Sequence, residues 1–182
     1  MRIRAGFLKG RVLKKPRDKN IRPTSDKVKA AFFNIIGARL LDACFLDLFS
    51  GTGNIGLEAL SRGAQCAVFV ENSRHSLKIL QGNIKLTATE DRTQVLTADI
   101  FKSLKYLHQG NRSFKLVYLD PPFNYRETIK VLEFLFRGSL VKKGGIVALE
   151  RSSRGGGELE KTSFNLWKTK VYGSVSLFFF KN

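Results

Sequence analysis

"CFLDLFSGTGNIGLEALSRG", residues 44–63, decides the fold. The run Cys44 to Phe49 reads as a buried strand, and Ile55 onward reads as a helix closed by Gly63. Between them lies Gly51-x-Gly53-x-x-Gly56. A glycine turn that leaves a strand and enters a helix is the correct context for a nucleotide-binding loop. Glycines there let a ligand approach the backbone and let the helix pack close to the strand.

Outward from this unit the same rhythm repeats. "CAVFVE", "TQVLTAD", "FKLVYLD" and "GGIVALE" read as strands. "SRHSLKILQGNIKL", "FKSLKYLHQ" and "RETIKVLEFLFR" read as the helices between them. Strands alternating with helices of this length predict an α/β fold with a doubly wound, mostly parallel sheet. After Glu150 the rhythm changes to a Gly-rich link, "RSSRGGGELE". "FNLWKTKVYGSVSLFFFKN" then reads as an antiparallel hairpin about Gly173 and Ser174. Upstream, Val28, Ala31, Phe32, Ile35 and Ile36 form one helical face, capped by Thr24 or Ser25 and stopped by Gly37. Residues 1–22 are basic and Gly-punctuated, an arm or small hairpin laid on a single domain of residues 23–182.

The composition narrows the partner. The chain has 182 residues, 43% of them hydrophobic, and a formal net charge of +17. Residues 1–30 carry eleven Lys or Arg against Asp18 and Asp26, about half of that excess. Charge of this size points to a polyanion. The sequence has no apolar run long enough for a membrane span and no signal-like leader, so a cytoplasmic protein is expected. Cys44 and Cys66 show neither metal nor disulfide spacing. They are expected to be small buried apolar residues in a reducing compartment. His75 and His108 stand alone, and no metal site is expected.

Four carboxylates mark the ligand. Asp47 precedes the glycine turn, Glu71 ends the second predicted strand, Asp99 follows the third and Asp120 ends the fourth. Open α/β sheets bind ligands at these strand ends. Asp47 disfavours a pyrophosphate and suits a cationic group, such as an amino acid's ammonium. Glu71 suits a ribose diol and Asp99 an adenine amine. A diol, an adenine and a positive centre together describe S-adenosylmethionine. The fourth strand ends in Asp120-Pro121-Pro122-Phe123. The prolines make a stiff corner with no N–H donors of their own. Asp120 and the Pro121 carbonyl can accept from an exocyclic NH₂, and Phe123 offers a ring on which a base can stack.

"DLFSGTGNIGLEALSRGA" and "LDPPF" resemble the Rossmann-type methyltransferases of exocyclic amines. With "IRPTSDKVKAAFFNII" upstream, the chain resembles the bacterial 16S rRNA guanine-N2 methyltransferases of the RsmD type over nearly its whole length. The resemblance implies a seven-stranded fold and methyl transfer from S-adenosylmethionine to a guanine N2, within a partly assembled small ribosomal subunit. It places Asp47, Ser50, Gly51 and Gly53 on the cofactor turn, Glu71 on the ribose, and Asp99 with Ile100 at the adenine. Asp120, Pro121, Pro122 and Phe123 fall on the catalytic corner. Arg22, Pro23 and Thr24 match the segment that closes over the cofactor side. Lys27 stands where many relatives have Arg, which keeps the charge but loses the fork geometry. The alternative reading is an amino-methyltransferase of adenine or cytosine in another RNA or DNA. The chain's length leaves no obvious room for a DNA target-recognition domain. A Rossmann dehydrogenase has no use for Asp47, for the Asp-Pro-Pro corner or for the charge. A non-catalytic RNA-binding protein has no use for the corner or the cofactor carboxylates. A monomer is expected.

Overall fold

The computed structural model describes residues 1–16, 25–122, 124–153, 159 and 162–182. A first helix, α1 (Asp26–Ile36), leads through a short 3-10 turn (Gly37–Leu40) into β1 (Cys44–Leu48). Alternation follows: α2 (Asn54–Ser61), β2 (Cys66–Val70), α3 (Arg74–Thr87), β3 (Thr93–Leu96), α4 (Ile100–Gln109), β4 (Phe114–Leu119) and α5 (Thr128–Arg137). The chain ends in three strands, β5 (Val141–Ser152), β6 (Leu166–Tyr172) and β7 (Val175–Lys181). The seven strands form one sheet in the order β3-β2-β1-β4-β5-β7-β6. The first five in sequence are parallel, and β7 pairs antiparallel with both β5 and β6.

Sequence order runs outward from β1 in one direction and from β4 in the other. β1 and β4 are neighbours, so the crevice between their carboxyl ends is the topological switch point of the sheet. Both faces are covered. One core layer lies beneath α1, α2 and α3, the other beneath α4 and α5. The central strands are buried on both faces and carry near-continuous apolar runs for that reason.

Local details bear out the sequence reading in one place and depart from it in two. Ser25, one of the two expected caps, closes the start of α1: its Oγ accepts from Val28 N at 3.3 Å. β3 ends at Leu96, and Asp99 peels away to cap α4. Cys44 and Cys66 are half-buried and joined by a disulfide, not separate buried thiols. Parallel pairing of β1 with β2 places them directly opposite, with Cα atoms 4.6 Å apart, within bridging distance. Their sequence separation carries no hint of that register.

Residues 1–16 pack onto the domain. Arg2 and Val12 form an antiparallel bridge, and Ile3, Leu8 and Leu13 enter the core. The anchor is Glu58 of α2, which is 0% exposed. Its carboxylate accepts from the backbone N–H groups of Arg4 and Ala5, from Arg62 Nε at 2.9 Å and from Lys29 Nζ at 3.0 Å. Lys29 is itself 1% exposed, and also donates to the Arg2 carbonyl and to Asn54 Oδ1. A buried charge left without its partner is costly. Glu58→Gln should therefore lower unfolding free energy by about 3–5 kcal/mol, measured by denaturant titration at neutral pH. A loss under 1 kcal/mol would show that the network is solvated and dispensable.

Candidate active site

The backbone brings four strand ends into one row. Past the regular ladder, Asp120 N donates to the Leu48 carbonyl at 3.3 Å, Ser50 N to Val70 at 3.1 Å, and Glu71 N to Leu96 at 3.2 Å. These bonds hold the ends of β4, β1, β2 and β3 side by side. Asp120, Ser50, Glu71 and the residues leading to Asp99 therefore meet along one edge, although 70 residues separate Ser50 from Asp120.

The glycine turn is shaped for close approach. Phe49, Gly51 and Gly53 all have positive φ, at 58°, 55° and 81°. A Cβ on Gly51 would meet no atom within 4 Å, so its Cα faces open space. A Cβ on Gly53 would lie 2.5 Å from the Leu80 side chain, and one on Gly56 2.3 Å from the Phe69 ring. Gly51 thus borders the crevice, while Gly53 and Gly56 let α2 pack close to β2 and α3. Ser50 Oγ is buried and has no hydrogen-bond partner, alone in this among the buried side-chain polar atoms of the described residues. A buried hydroxyl without a partner at a glycine turn fits a ligand that supplies the missing bond.

Glu71 is held open-handed beside it. Its Oε2 accepts from Gly51 N at 2.8 Å, and its Oε1 from the N–H groups of Asn72 and Ser73. A carboxylate offers about four acceptor positions, so capacity remains. Asp99 uses Oδ1 to accept from Phe101 N and Lys102 N, and Ile100 is buried at the start of α4. Asp47 differs from these. It is 2% exposed and lies inside the strand, with Oδ2 accepting from Gly56 N at 2.8 Å. Burial raises its pKa to about 7, against the pull of the Gly56 bond, and Glu71 nearby adds to the rise. The Pro121 ring is buried and Asp120 half-buried at the corner. Arg22, Pro23, Thr24 and Phe123 lie outside the described residues, as does most of the Gly-rich link.

Two site features escape the sequence. Phe49 is not the last residue of β1. It turns into the left-handed region, uncommon for a bulky side chain. Its ring meets Tyr125 edge-on at 5.0 Å, and Tyr125 N donates to the Pro122 carbonyl at 2.9 Å. The pair joins the glycine turn to the proline corner. Tyr118, at the heart of β4, donates to Glu150 Oε2 at 2.5 Å. Burial first, and the carboxylates around it, raise its pKa well above the usual phenol range.

The family described as conserved hypothetical protein 95 matches residues 1–181. Ribosomal RNA small subunit methyltransferase D of Escherichia coli (strain K12) is 32% identical over 179 residues, covering 97% of this chain and 87% of that one. The chain belongs to this family. The protein of the same name from Haemophilus influenzae is 29% identical over 183 residues, covering 100% of this chain and 94% of its own. A solved Escherichia coli protein superposes with TM-score 0.84 at 28% identity, covering 100% of this chain and 97% of that one. The seven-stranded sheet is thus the methyltransferase fold of this family.

The Asp47 environment gives a pH signature. Its folded pKa lies above the unfolded value near 3.9, so the folded state holds the extra proton between about pH 4 and 7. Stability referred to this group is therefore greatest at acidic pH and is lost as pH rises through about 7. Asp47→Asn keeps an acceptor for Gly56 N and removes the titration. Relative to wild type, the variant should gain up to about 4 kcal/mol between pH 4 and 8, measured by denaturant unfolding across that range. A pH-independent difference would place Asp47 in a solvated setting.

Proposed function

We propose that the chain transfers a methyl group from S-adenosylmethionine to the exocyclic N2 of a guanine in small-subunit (16S) rRNA. The observation that carries this reading is the partnerless Ser50 hydroxyl and the Glu71 carboxylate at the glycine turn, one strand away from the Asp120-Pro121-Pro122 corner. Likeness over nearly the whole chain to ribosomal RNA small subunit methyltransferases D supports the substrate class. The cofactor would be held by Ser50, Gly51 and Gly53 at the turn, by Glu71 at its ribose and by Asp99 with Ile100 at its adenine. Asp47 would set the turn's shape through Gly56. When bound, the cofactor would supply an electrophilic methyl on a sulfonium. Among the described residues no helix is long and apolar enough to cross a membrane. We read the protein as a cytoplasmic monomer acting on a partly assembled small subunit.

Guanine N2 is a weak nucleophile because its lone pair is delocalised into the ring. Acceptors aimed at its two protons favour the nitrogen as it gains positive charge. The Asp120 carboxylate and the Pro121 carbonyl would serve as those acceptors, at a corner that the two prolines stiffen. Catalysis is then positioning and preorganised electrostatics rather than strong-base chemistry. Phe123 would offer its ring to an extruded base, and Phe49 and Tyr125 meet edge-on beside the corner.

Mass-spectrometric mapping of rRNA from a strain lacking the enzyme, before and after treatment with it, should show one new methylguanine in the 16S species. A methyladenine or methylcytosine instead selects the alternative amino-methyltransferase. Asp120→Ala should cut single-turnover transfer about 10²-fold or more, with Asp120→Asn between it and wild type, because the amide oxygen still accepts. Transfer by Asp120→Ala at the wild-type rate would reduce the corner to a structural turn. Glu71→Ala should weaken cofactor binding by roughly 1–3 kcal/mol in calorimetry. Unchanged affinity removes Glu71 from the ribose.

A further inference from the structure

The face of β6 that looks toward α1 takes no part in the site described above. Pairing with β7 fixes its composition. Lys168, Lys170 and Tyr172 sit opposite Phe179, Leu177 and Val175, all three buried in the core layer beneath α1. Residues paired across two strands share a face. A register shift between Leu166 and Lys168 brings Trp167 to the same side, where its indole meets the Phe179 ring edge-on at 6.3 Å. Trp167 is still 41% exposed. Two cations bracket it: the Arg39 guanidinium lies 5.7 Å from the indole and the Lys168 ammonium 5.5 Å. At the far end of the strand, Lys27 of α1 lies 5.9 Å from the Tyr172 ring.

Four cations and two rings therefore line the outermost strand of the sheet. Residues 162–182 contain no Asp or Glu to balance them. Stability alone does not account for this. Exposed cation–aromatic pairs contribute little, and clustered like charges repel. An exposed indole flanked by cations matches what a single-stranded nucleic acid offers: a base face with phosphates on either side. The position also fits. β6 runs parallel to β4, and its last residue, Tyr172, is joined through Val175 to Ser152, three residues beyond the level of Leu149 and Leu119. The hairpin tip thus rises at the same end of the sheet as Asp120. Three strand spacings, roughly 14 Å, separate β6 from β4 across the sheet.

The geometry points to a second RNA contact: the Trp167 face of β6 binds a single-stranded segment flanking the target nucleotide. Trp167 stacks one base, and Arg39, Lys168, Lys170 and Lys27 hold its phosphates. This assignment rests on the proposed RNA-methylating function and extends it to how the substrate is gripped.

Trp167 is the chain's one tryptophan, so its emission reports the face directly. Titrating the full chain with an unstructured single-stranded RNA 12-mer should give saturable quenching that weakens with salt. Replacing Lys168 and Lys170 with Ala should reduce the log–log salt slope by about 0.7 per lost contact. With end-labelled RNA followed by anisotropy, Trp167→Ala should bind about tenfold more weakly, and Trp167→Phe should recover part of the loss because a ring remains. A thermal melt of each variant establishes that the fold is intact. RNA binding by anisotropy with unchanged Trp167 emission overturns the proposal. So does quenching by polyglutamate but not by RNA, which assigns the face to an acidic protein. If wild type methylates rRNA and folded Trp167→Ala does so with unchanged KM, the second contact alone fails. If wild type neither binds RNA nor transfers methyl, the functional reading fails and takes this contact with it.

Discussion

A single buried carboxylate holds the back of this molecule together. Glu58 lies in α2, within one turn of the glycine corner, and it accepts from the N-terminal segment, from α1 through Lys29 and from Arg62. Lys29 passes the connection on to Asn54, the residue after Gly53. A second brace runs in parallel. Asn83 of α3, fully buried, donates to the carbonyls of Lys14 and Thr52 and accepts from Lys14 N. The glycine turn is thus gripped from behind at Thr52 and Asn54 while Gly51 faces open space. Burying ions is expensive, and a hydrophobic replacement can be as stable. What the network adds here is register: it ties the N-terminal residues to one position against the turn.

The same division of labour governs the crevice. The backbones of four strand ends are fixed by bonds between neighbours, which brings the residues at their ends to one edge. Asp47 is used differently from the other carboxylates. Sealed beneath the turn, it holds the N–H of Gly56, and its raised pKa is the consequence of that burial. Glu71 and Asp99 each spend part of their acceptor capacity on backbone N–H groups, which orients them before any ligand arrives. At the other side of the turn, Phe49 accepts a strained backbone and gains a ring contact with Tyr125. Strain of this kind concentrates at functional sites, and here it couples the two loops that meet at the switch point.

Much of this was legible in the sequence. The strand–turn–helix at 44–63 and the alternation after it fixed the parallel sheet, because each element carries its own period of apolar residues. The closing hairpin was legible from Gly173 and two apolar runs. Glu71 and Asp120 were legible as strand ends because a polar residue terminating a buried run is locally conspicuous, whereas Asp47 proved to lie buried inside β1. The cysteines were misread for the complementary reason. Whether Cys44 faces Cys66 depends on inter-strand register, and no spacing rule encodes it.

By itself, then, the sequence determined the fold class, the position of the glycine turn and the excess of positive charge. These depend on local periodicity, backbone freedom and composition, all of which are properties of the chain read in order. Only the tertiary structure decided that Asp47 is buried while Glu71, Asp99 and Asp120 stay half-buried. It also decided that Ser50 Oγ is left without a partner, that Phe49 meets Tyr125, and that Trp167 is bracketed by Arg39 and Lys168. Each of these joins residues from different elements, or depends on how the elements pack around one atom. Such contacts are set by strand order, register and core packing, which exist only once the sheet has closed.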